Sequence, residues 1–268
     1  MSVALMGIVN VTPDSFSDGG LYLDPEVAIR HGRDLAAAGA DWLDVGGEST
    51  RPGSEGVSLD EELERVIPVV QALAGPNGPG VPVSIDTSKA EVARQAVAAG
   101  ARMINDVTAL RGDAGMPAVC AESGVEVCLM HMLGEPRTMQ EDPRYDDVVA
   151  EVRDFLAGRM QAAVEAGVAE EKILLDPGIG FGKTLEHNLA LLRGLSDLAT
   201  LGRPLLVGPS RKRFIGELAG NQGEADDRLG GTVAACIESA ERGAAILRVH
   251  DVAPVRQALA VAGAISGG

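Results

Sequence analysis

Cysteine, lysine and long apolar runs are all scarce in this 268-residue chain, and each scarcity excludes something. The three cysteines, Cys120, Cys128 and Cys236, are an odd number with no CxxC and no metal-like spacing, so neither a disulfide framework nor a zinc site is expected. Two lie in helical patterns and one in a strand-like run, where reduced core thiols of a cytoplasmic protein belong. No stretch reaches the ~18 uninterrupted apolar residues of a membrane helix. The apolar N-terminal run lacks a basic segment and turns polar at Asn10, too early for a signal peptide, so a soluble protein is expected. Basic residues number 23 against 39 acidic ones, for a formal charge of −16. That balance excludes a general nucleic-acid or anionic-membrane surface, which needs a basic face. Any anion bound here must meet local cations. Only four of the basic residues are lysines (Lys89, Lys172, Lys183 and Lys212), and two of those sit in glycine- or arginine-rich loops after strands.

What is present is a recurring pattern. Eight short apolar runs close on Asn10, Asp44, Asp86, Asn105, His131, Asp176, Ser210 and the pair Arg248/His250. Continuous apolar runs separated by helical segments read as buried parallel strands. The spacing predicts strands over Ala4–Val9, Trp42–Val45, Pro82–Ile85, Arg102–Ile104, Glu126–Met130, Lys172–Leu175, Pro204–Val207 and Ala245–Val249. Asp24 with Pro25 predicts a helix start, Ser58…Glu61 and Ser88…Glu91 predict capping boxes, and the longest helix is expected over about Tyr145–Gly167. Units of about thirty residues match βαβ repeats. The reading is an α/β (β/α)8 barrel in one domain, residues 1–268, close to the ~250 residues typical of that fold. A doubly wound open sheet is the alternative, but polar residues at nearly all eight strand ends favour closure, since the strand C-termini of a barrel form its active mouth.

The loop Gly178-Ile179-Gly180-Phe181-Gly182-Lys183-Thr184 invites a nucleotide reading, which fails twice. A Walker A loop needs glycine where Pro177 stands, and a dinucleotide fingerprint needs glycine where Lys183 stands. The glycines instead suggest close backbone approach to a flat ligand, with Phe181 as a stacking surface. Asp86 and Asp176 place carboxylates at apolar strand ends, costly to desolvate unless donors meet them. Their paired oxygens match the N–H donors of an aminopyrimidinone or guanidine-like edge. A helix-capping role remains open for Asp86. Asn105 adds a matching amide and ranks above Asp106, which is free to cap a helix. His131 reads as a hydrogen-bonded core histidine before a catalytic one, and His187 as a surface residue. Thr50-Arg51-Pro52, Ser210-Arg211-Lys212 and Arg248-Val249-His250 gather cations and hydroxyls, as a phosphate-like anion site requires. Arg248 and His250 share one face of a strand, and a helix starting near Arg211 adds backbone donors.

Taken together, MGIVNVTPDSFSDGG (6–20), DVGGESTRPG (44–53), SIDT (84–87), MINDV (103–107), LMHMLGEPRTMQ (129–140), LLDPGIGFGKT (174–184), SRKRFIG (210–216) and RVHD (248–251) resemble the dihydropteroate synthase family, in its order and across the whole chain. The resemblance implies a transferase of folate biosynthesis that joins 7,8-dihydropterin-6-ylmethyl diphosphate to 4-aminobenzoate and releases pyrophosphate. It also implies Mg2+ dependence, sulfonamide sensitivity and a homodimer. It places Asp86, Asn105, Asp176 and Lys212 at the pterin, with Met130 and Phe181 as apolar walls. Asn10, Arg248 and His250, helped by Thr50, fall at the diphosphate, with Asn10 at the metal. Arg51 and Pro52 fall in one mobile loop, and Phe16 and Ser17 in another. In some members a serine follows the SRK lysine and meets the aminobenzoate carboxylate; this chain has Arg213 there. Asp86, Lys212, Arg248 and Asn10 are the expected catalytic set, acting on a cation-like substitution that needs no Cys or Ser nucleophile. A methyltetrahydrofolate-dependent methyltransferase shares the barrel, but the SRK lysine, the RVH strand and the STRPG loop count against it. A non-catalytic pterin-binding paralogue is the remaining alternative.

Overall fold

The computed structural model describes residues 3–12, 25–49, 54, 56–135, 137–220 and 225–267. Phe16, Ser17, Asp24, Thr50, Arg51 and Pro52 lie outside these residues. Eight strands, β1 (Ala4–Asn10), β2 (Trp42–Gly46), β3 (Val83–Asp86), β4 (Met103–Asp106), β5 (Glu126–Met130), β6 (Ile173–Asp176), β7 (Leu205–Val207) and β8 (Ala244–Val249), pair in chain order, and β8 closes on β1. Every ladder is parallel, so each step needs a crossover, which a helix supplies. These crossovers are α1 (Pro25–Ala37), α2 (Leu59–Ala74), α3 (Ala90–Ala98), α4 (Met116–Ser123), α5 (Val148–Glu165), the pair α6 (Leu185–Arg193) and α7 (Leu195–Ala199), and the pair α8 (Arg213–Leu218) and α9 (Leu229–Glu241). Helix α10 (Val252–Ile265) follows β8. The result is a single-domain (β/α)8 barrel.

The alternation of side chains along a strand sorts the barrel into two cores. Outward residues such as Leu5, Leu43, Val83, Ile85, Ile104, Val127 and Leu175 pack with the helices in one large cluster. Inward residues Met6, Met103, Cys128, Leu174, Leu206 and Ile246 fill the barrel. Two positions further along four of these strands stand Asn105, Met130, Asp176 and Arg248. The apolar filling thus becomes a polar floor at the strand C-termini. Cys120, Cys128 and Cys236 are all buried free thiols, in α4, β5 and α9.

Strand ends are where the sequence reading departs most. Its strands stop short of Asp86, Asp106 and Asp176, yet all three lie within theirs. A polar side chain ends the apolar run, but the backbone goes on pairing, Asp86 with Asn105 and Met130 with Asp176. Ser58 caps α2 by accepting from Glu61 N at 3.3 Å. Ser88 does not cap α3: Lys89 is the N-cap residue, without a side-chain bond. Thr87 Oγ1 takes Lys89 N at 3.2 Å, and Asp113 Oδ2 reaches across to take Ala90 N at 2.9 Å. Helix α8 begins at Arg213, two residues later than expected, because Arg211 adopts a left-handed turn (φ 58°).

Candidate active site

At the centre of the polar floor stands Arg248. Its Nε donates to Asp44 Oδ2 at 2.6 Å and its Nη2 to Asp86 Oδ2 at 2.7 Å. Asn105 Nδ2 donates to the same Asp44 oxygen at 3.1 Å. Strands β2, β3, β4 and β8 each contribute one member, so the ladder itself sets the spacing. Gly46, in register with both Asn10 and Asp86, keeps the space beside Asp86 open, since a Cβ there would lie 3.3 Å from Asp86 Cβ. Among the described residues, Asp44 Oδ1, Asn105 Oδ1 and Ser84 Oγ are buried without a hydrogen-bond partner. Unpaired buried acceptors are costly and call for donors.

The charges respond to this crowding. Burial pushes the Asp86 carboxyl up to about 7; Arg248 pulls it back, while Asp44, Glu62 and Asp106 push it further up. Burial likewise raises Asp176 to about 6, against Gly178 N, which donates to its Oδ1 at 2.7 Å, and against Lys212, Arg248 and Lys183. Burial opposes the charge on Arg248, but Asp44 and Asp86 outweigh it, and the guanidinium stays firmly protonated.

One wall is apolar. Met130, Val107, Met132 and Met139 form a buried cluster with Phe181 packed against it. Lys212 Nζ lies 4.1 Å from the centroid of the Phe181 ring. Met130, Phe181 and Lys212 are therefore brought together, with Asp176 beside Met130 in the β5–β6 register. The loop carrying Phe181 also has an internal reason for two of its glycines. Gly178, Gly180 and Gly182 are all left-handed. A Cβ on Gly178 would sit 1.9 Å from His131 O, and one on Gly182 2.7 Å from Leu133 O. At those two positions the close approach is to the chain's own backbone.

The anion-site candidates divide. Asn10 ends β1 at the mouth, and His250 Nδ1 lies 3.0 Å from Ser210 Oγ, which also accepts from His250 N at 3.2 Å. Burial, with Arg211 and Arg248 nearby, holds His250 neutral, its pKa down at about 3. Arg211 forms a two-point ion pair with Asp251, Nε–Oδ2 2.9 Å and Nη2–Oδ1 2.7 Å, and so serves the fold. Arg213 is mostly exposed and pairs with Glu217 along α8 at 2.6 Å; the structure does not bring it to the polar floor. Asp106 is buried but turned to its own loop, accepting from Thr108 N, Thr108 Oγ1 and Leu110 N, which fixes left-handed turns at Ala109 and Leu110. His131 is a core histidine packed edge-on against Phe155, as expected. His187 completes the capping box of Thr184 at the start of α6.

Two residues carry more than the sequence reading gives them. Asp44 ends an apolar run, but its partner Arg248 is 204 residues away, so no spacing reveals the pair. Lys183, which in sequence only spoils a glycine fingerprint, is almost wholly buried beneath the Phe181 loop. Behind β3, Thr87 Oγ1 donates to Glu62 Oε1 at 2.6 Å, and Lys89 bridges Glu62 and Glu48, which ties α2 and the root of the β2 loop to the end carrying Asp86.

This parallel barrel, with carboxylates, an amide and an arginine on its floor and an apolar wall beside them, is that of a pterin-binding enzyme by its sequence: the family model for pterin binding enzymes matches residues 6–250. The dihydropteroate synthase of Escherichia coli K12 is 50% identical over 257 residues, 96% of this chain and 89% of that protein. A dihydropteroate synthase of Xanthomonas albilineans solved with 4-aminobenzoic acid superposes with a TM-score of 0.92 at 52% identity, over 99% of this chain and 94% of that one. The enzyme from the same organism in complex with 7,8-dihydropteroate gives 0.88 at 49% identity, over 99% and 94%. The chain belongs to the dihydropteroate synthases, which are transferases.

Proposed function

We propose that this protein condenses 7,8-dihydropterin-6-ylmethyl diphosphate with 4-aminobenzoate to give 7,8-dihydropteroate and pyrophosphate. The observation that carries the reading is the pair of unpartnered buried acceptors, Asn105 Oδ1 and Asp44 Oδ1, on a floor already rich in carboxylate. A pterin edge offers the amino and ring N–H donors that these two atoms lack and that the Asp176 carboxylate can also accept, and the Met130–Phe181 wall suits its flat face. Solved relatives that hold 4-aminobenzoic acid and 7,8-dihydropteroate support the same second substrate and the same product.

In this reading Asn105 and Asp176 fix the pterin edge, and Lys212 approaches from the Phe181 side. Arg248 turns from its carboxylates toward the diphosphate, which Asn10, His250 and Thr50 also hold. The methylene C–O bond breaks with its electron pair going to diphosphate. The resulting pterin-methyl cation is stabilised by ring delocalisation and by the Asp86 carboxylate. The aniline nitrogen of aminobenzoate then forms the C–N bond and releases its surplus proton to solvent. Exclusion of water from the cation is assigned to Phe16, Ser17, Arg51 and Pro52. Arg213, on the rim, and the start of α8 are left to meet the aminobenzoate carboxylate.

Asn10 offers one neutral oxygen beside the open space at Gly46, and among the described residues no three His, Cys, Asp or Glu side chains form a cation cage. That donor set fits Mg2+ carried in with the diphosphate, since Mg2+ is commonly held by one or two protein oxygens plus phosphates and water. Bound there, Mg2+ neutralises charge on the leaving group. A cytoplasmic homodimer inhibited by sulfonamides completes the proposal. Purified protein given both substrates should form 7,8-dihydropteroate and pyrophosphate in equal amounts. Absence of dihydropteroate overturns the reading.

A further inference from the structure

Lys183 is a buried lysine that the proposed chemistry leaves unused. It is 3% exposed, in the loop between β6 and α6. Its Nζ donates to Phe181 O at 2.9 Å and to His131 O at 3.4 Å, and lies 3.0 Å from His131 Nδ1. Three acceptors match the three hydrogens of an ammonium. Two of them belong to the end of β5 and one to the β6 loop, so a single side chain bridges two strand ends. His131 is held neutral by burial and by this neighbouring charge, its pKa down at about 3, which leaves Nδ1 available to accept. Burial pushes the Lys183 ammonium down to about 7; Asp176 on β6 draws it back up as a counter-charge, while Lys212 pushes it further down.

The rest of the loop is pinned at neighbouring carbonyls. Gln140 Nε2 donates to Gly180 O at 2.6 Å, Tyr145 OH to Gly182 O at 2.9 Å, and Gly180 N donates to Asn188 Oδ1 at 2.6 Å. Phe181 O, the carbonyl of the wall residue itself, is taken by Lys183. With the left-handed glycines on either side, the Phe181 peptide has little freedom once that bond is made. Its side chain then packs against the cluster of Val107, Met130, Met132 and Met139 and faces Lys212 Nζ.

We propose that Lys183 is a positioning residue: through Phe181 O and His131 it locks the Phe181 ring, and through that ring Lys212, in the geometry that receives the flat ligand. The ligand's identity as a pterin rests on the function proposed above, but the positioning does not. Lysine stands in that loop because a glycine would leave Phe181 O and His131 Nδ1 unpaired in a dry interior. Glutamine at 183 keeps a donor but loses the charge and the reach to three acceptors.

Two arms test this on the full-length protein. In the free protein carrying 13C-methyl methionine, Lys183→Gln should shift or broaden the Met130 and Met139 signals, which report the Phe181 ring, and leave that of Met6 in the lower barrel unchanged. Unmoved Met130 and Met139 signals overturn the positioning whatever the protein binds. In the second arm the Kd of 6-hydroxymethylpterin is measured by calorimetry. Lys183→Gln should raise it at least tenfold while the Kd of pyrophosphate moves less than twofold, and Lys183→Arg should recover part of the loss. In a Phe181→Leu background the Lys183→Gln effect should vanish. Equal effects with and without Phe181 overturn the proposal, as does equal loss of pterin and pyrophosphate affinity. If Lys183→Gln does not fold, His131→Leu, which removes the Nδ1 acceptor, takes its place: shifted Met130 and Met139 signals support the positioning, and unmoved ones overturn it. Absence of pterin binding by the unaltered protein, with methionine signals that respond, counts against the proposed substrate alone.

Discussion

Arg248 and Asp44 form an ion pair of 2.6 Å between β8 and β2, and the same guanidinium reaches Asp86 on β3 at 2.7 Å. One cation therefore serves two carboxylates, and the floor of the barrel keeps a negative charge in excess. Asp86 registers that excess: burial raises it to about 7, and Asp44 pushes in the same direction. The sharing also holds the arginine at the mouth before an anion arrives.

Asp44→Asn should move the acid side of the pH–rate profile. Asp86 must be ionised to stabilise a cation, so kcat/KM should climb as pH rises through about 7. Removing the Asp44 charge takes away repulsion and leaves Arg248 more fully to Asp86. Both lower the Asp86 pKa, and the limb should shift down by roughly one pH unit. A limb that stays in place in the variant removes Asp44 from the circuit.

Asp86→Ala should abolish most turnover without unfolding the barrel. The residue sits at a strand end with its side chain in the mouth, so its loss removes transition-state stabilisation of the kind worth about 10²–10³ in rate. Single-turnover formation of dihydropteroate and the thermal midpoint together check this. A folded variant with an unaltered rate would show that Asp86 has no part in the chemistry.

Arg248→Ala should weaken pyrophosphate binding by about 10- to 100-fold, the worth of a charged hydrogen bond at roughly 1.5–3 kcal/mol. Calorimetric titration with pyrophosphate reads this directly, and unchanged affinity rejects the assignment. Stability should respond with a definite sign. Without the cation the Asp86 pKa rises further, and the folded state binds more protons than the unfolded one between the ordinary carboxylate range and that higher value. The variant should therefore lose more stability at pH 8 than at pH 6.

Much of this arrangement is legible in the linear chain. Unbroken apolar runs give the eight strands and their parallel order, because a strand buried on both faces has no polar alternation to confuse it. Alternation by two then carries Met103 to Asn105, Leu174 to Asp176 and Ile246 to Arg248, from filling to floor. Pairing across the barrel is not legible: Asp44 and Arg248 meet only because β1 lies between their strands in a closed ring. Nor does the Ser88…Glu91 spacing show that Thr87 and Asp113, 26 residues apart, take the amides of the N-cap Lys89 and the first helical residue Ala90 instead. Lys183 looks like a loop lysine until the fold buries it against His131.

One glycine of the β6 loop and one from the turn before β7 allow a comparison that isolates close approach from backbone conformation. Gly178 and Gly202 have similar left-handed φ values, 68° and 74°. Around Gly202 nothing lies within 4 Å of an added Cβ, whereas at Gly178 that atom would meet His131 O at 1.9 Å. Gly202→Ala should thus cost only the left-handed penalty, roughly 1–2 kcal/mol, and lower the thermal midpoint by about 2–8 °C for a chain of this size. Gly178→Ala must in addition displace the β5 carbonyl beside Lys183 and Asp176. Its loss should exceed that of Gly202→Ala by at least about 2 kcal/mol. Thermal unfolding of the two variants side by side decides it. Equal losses would mean that the loop can move away from β5, and the tight seat of Phe181 would then have to be given up.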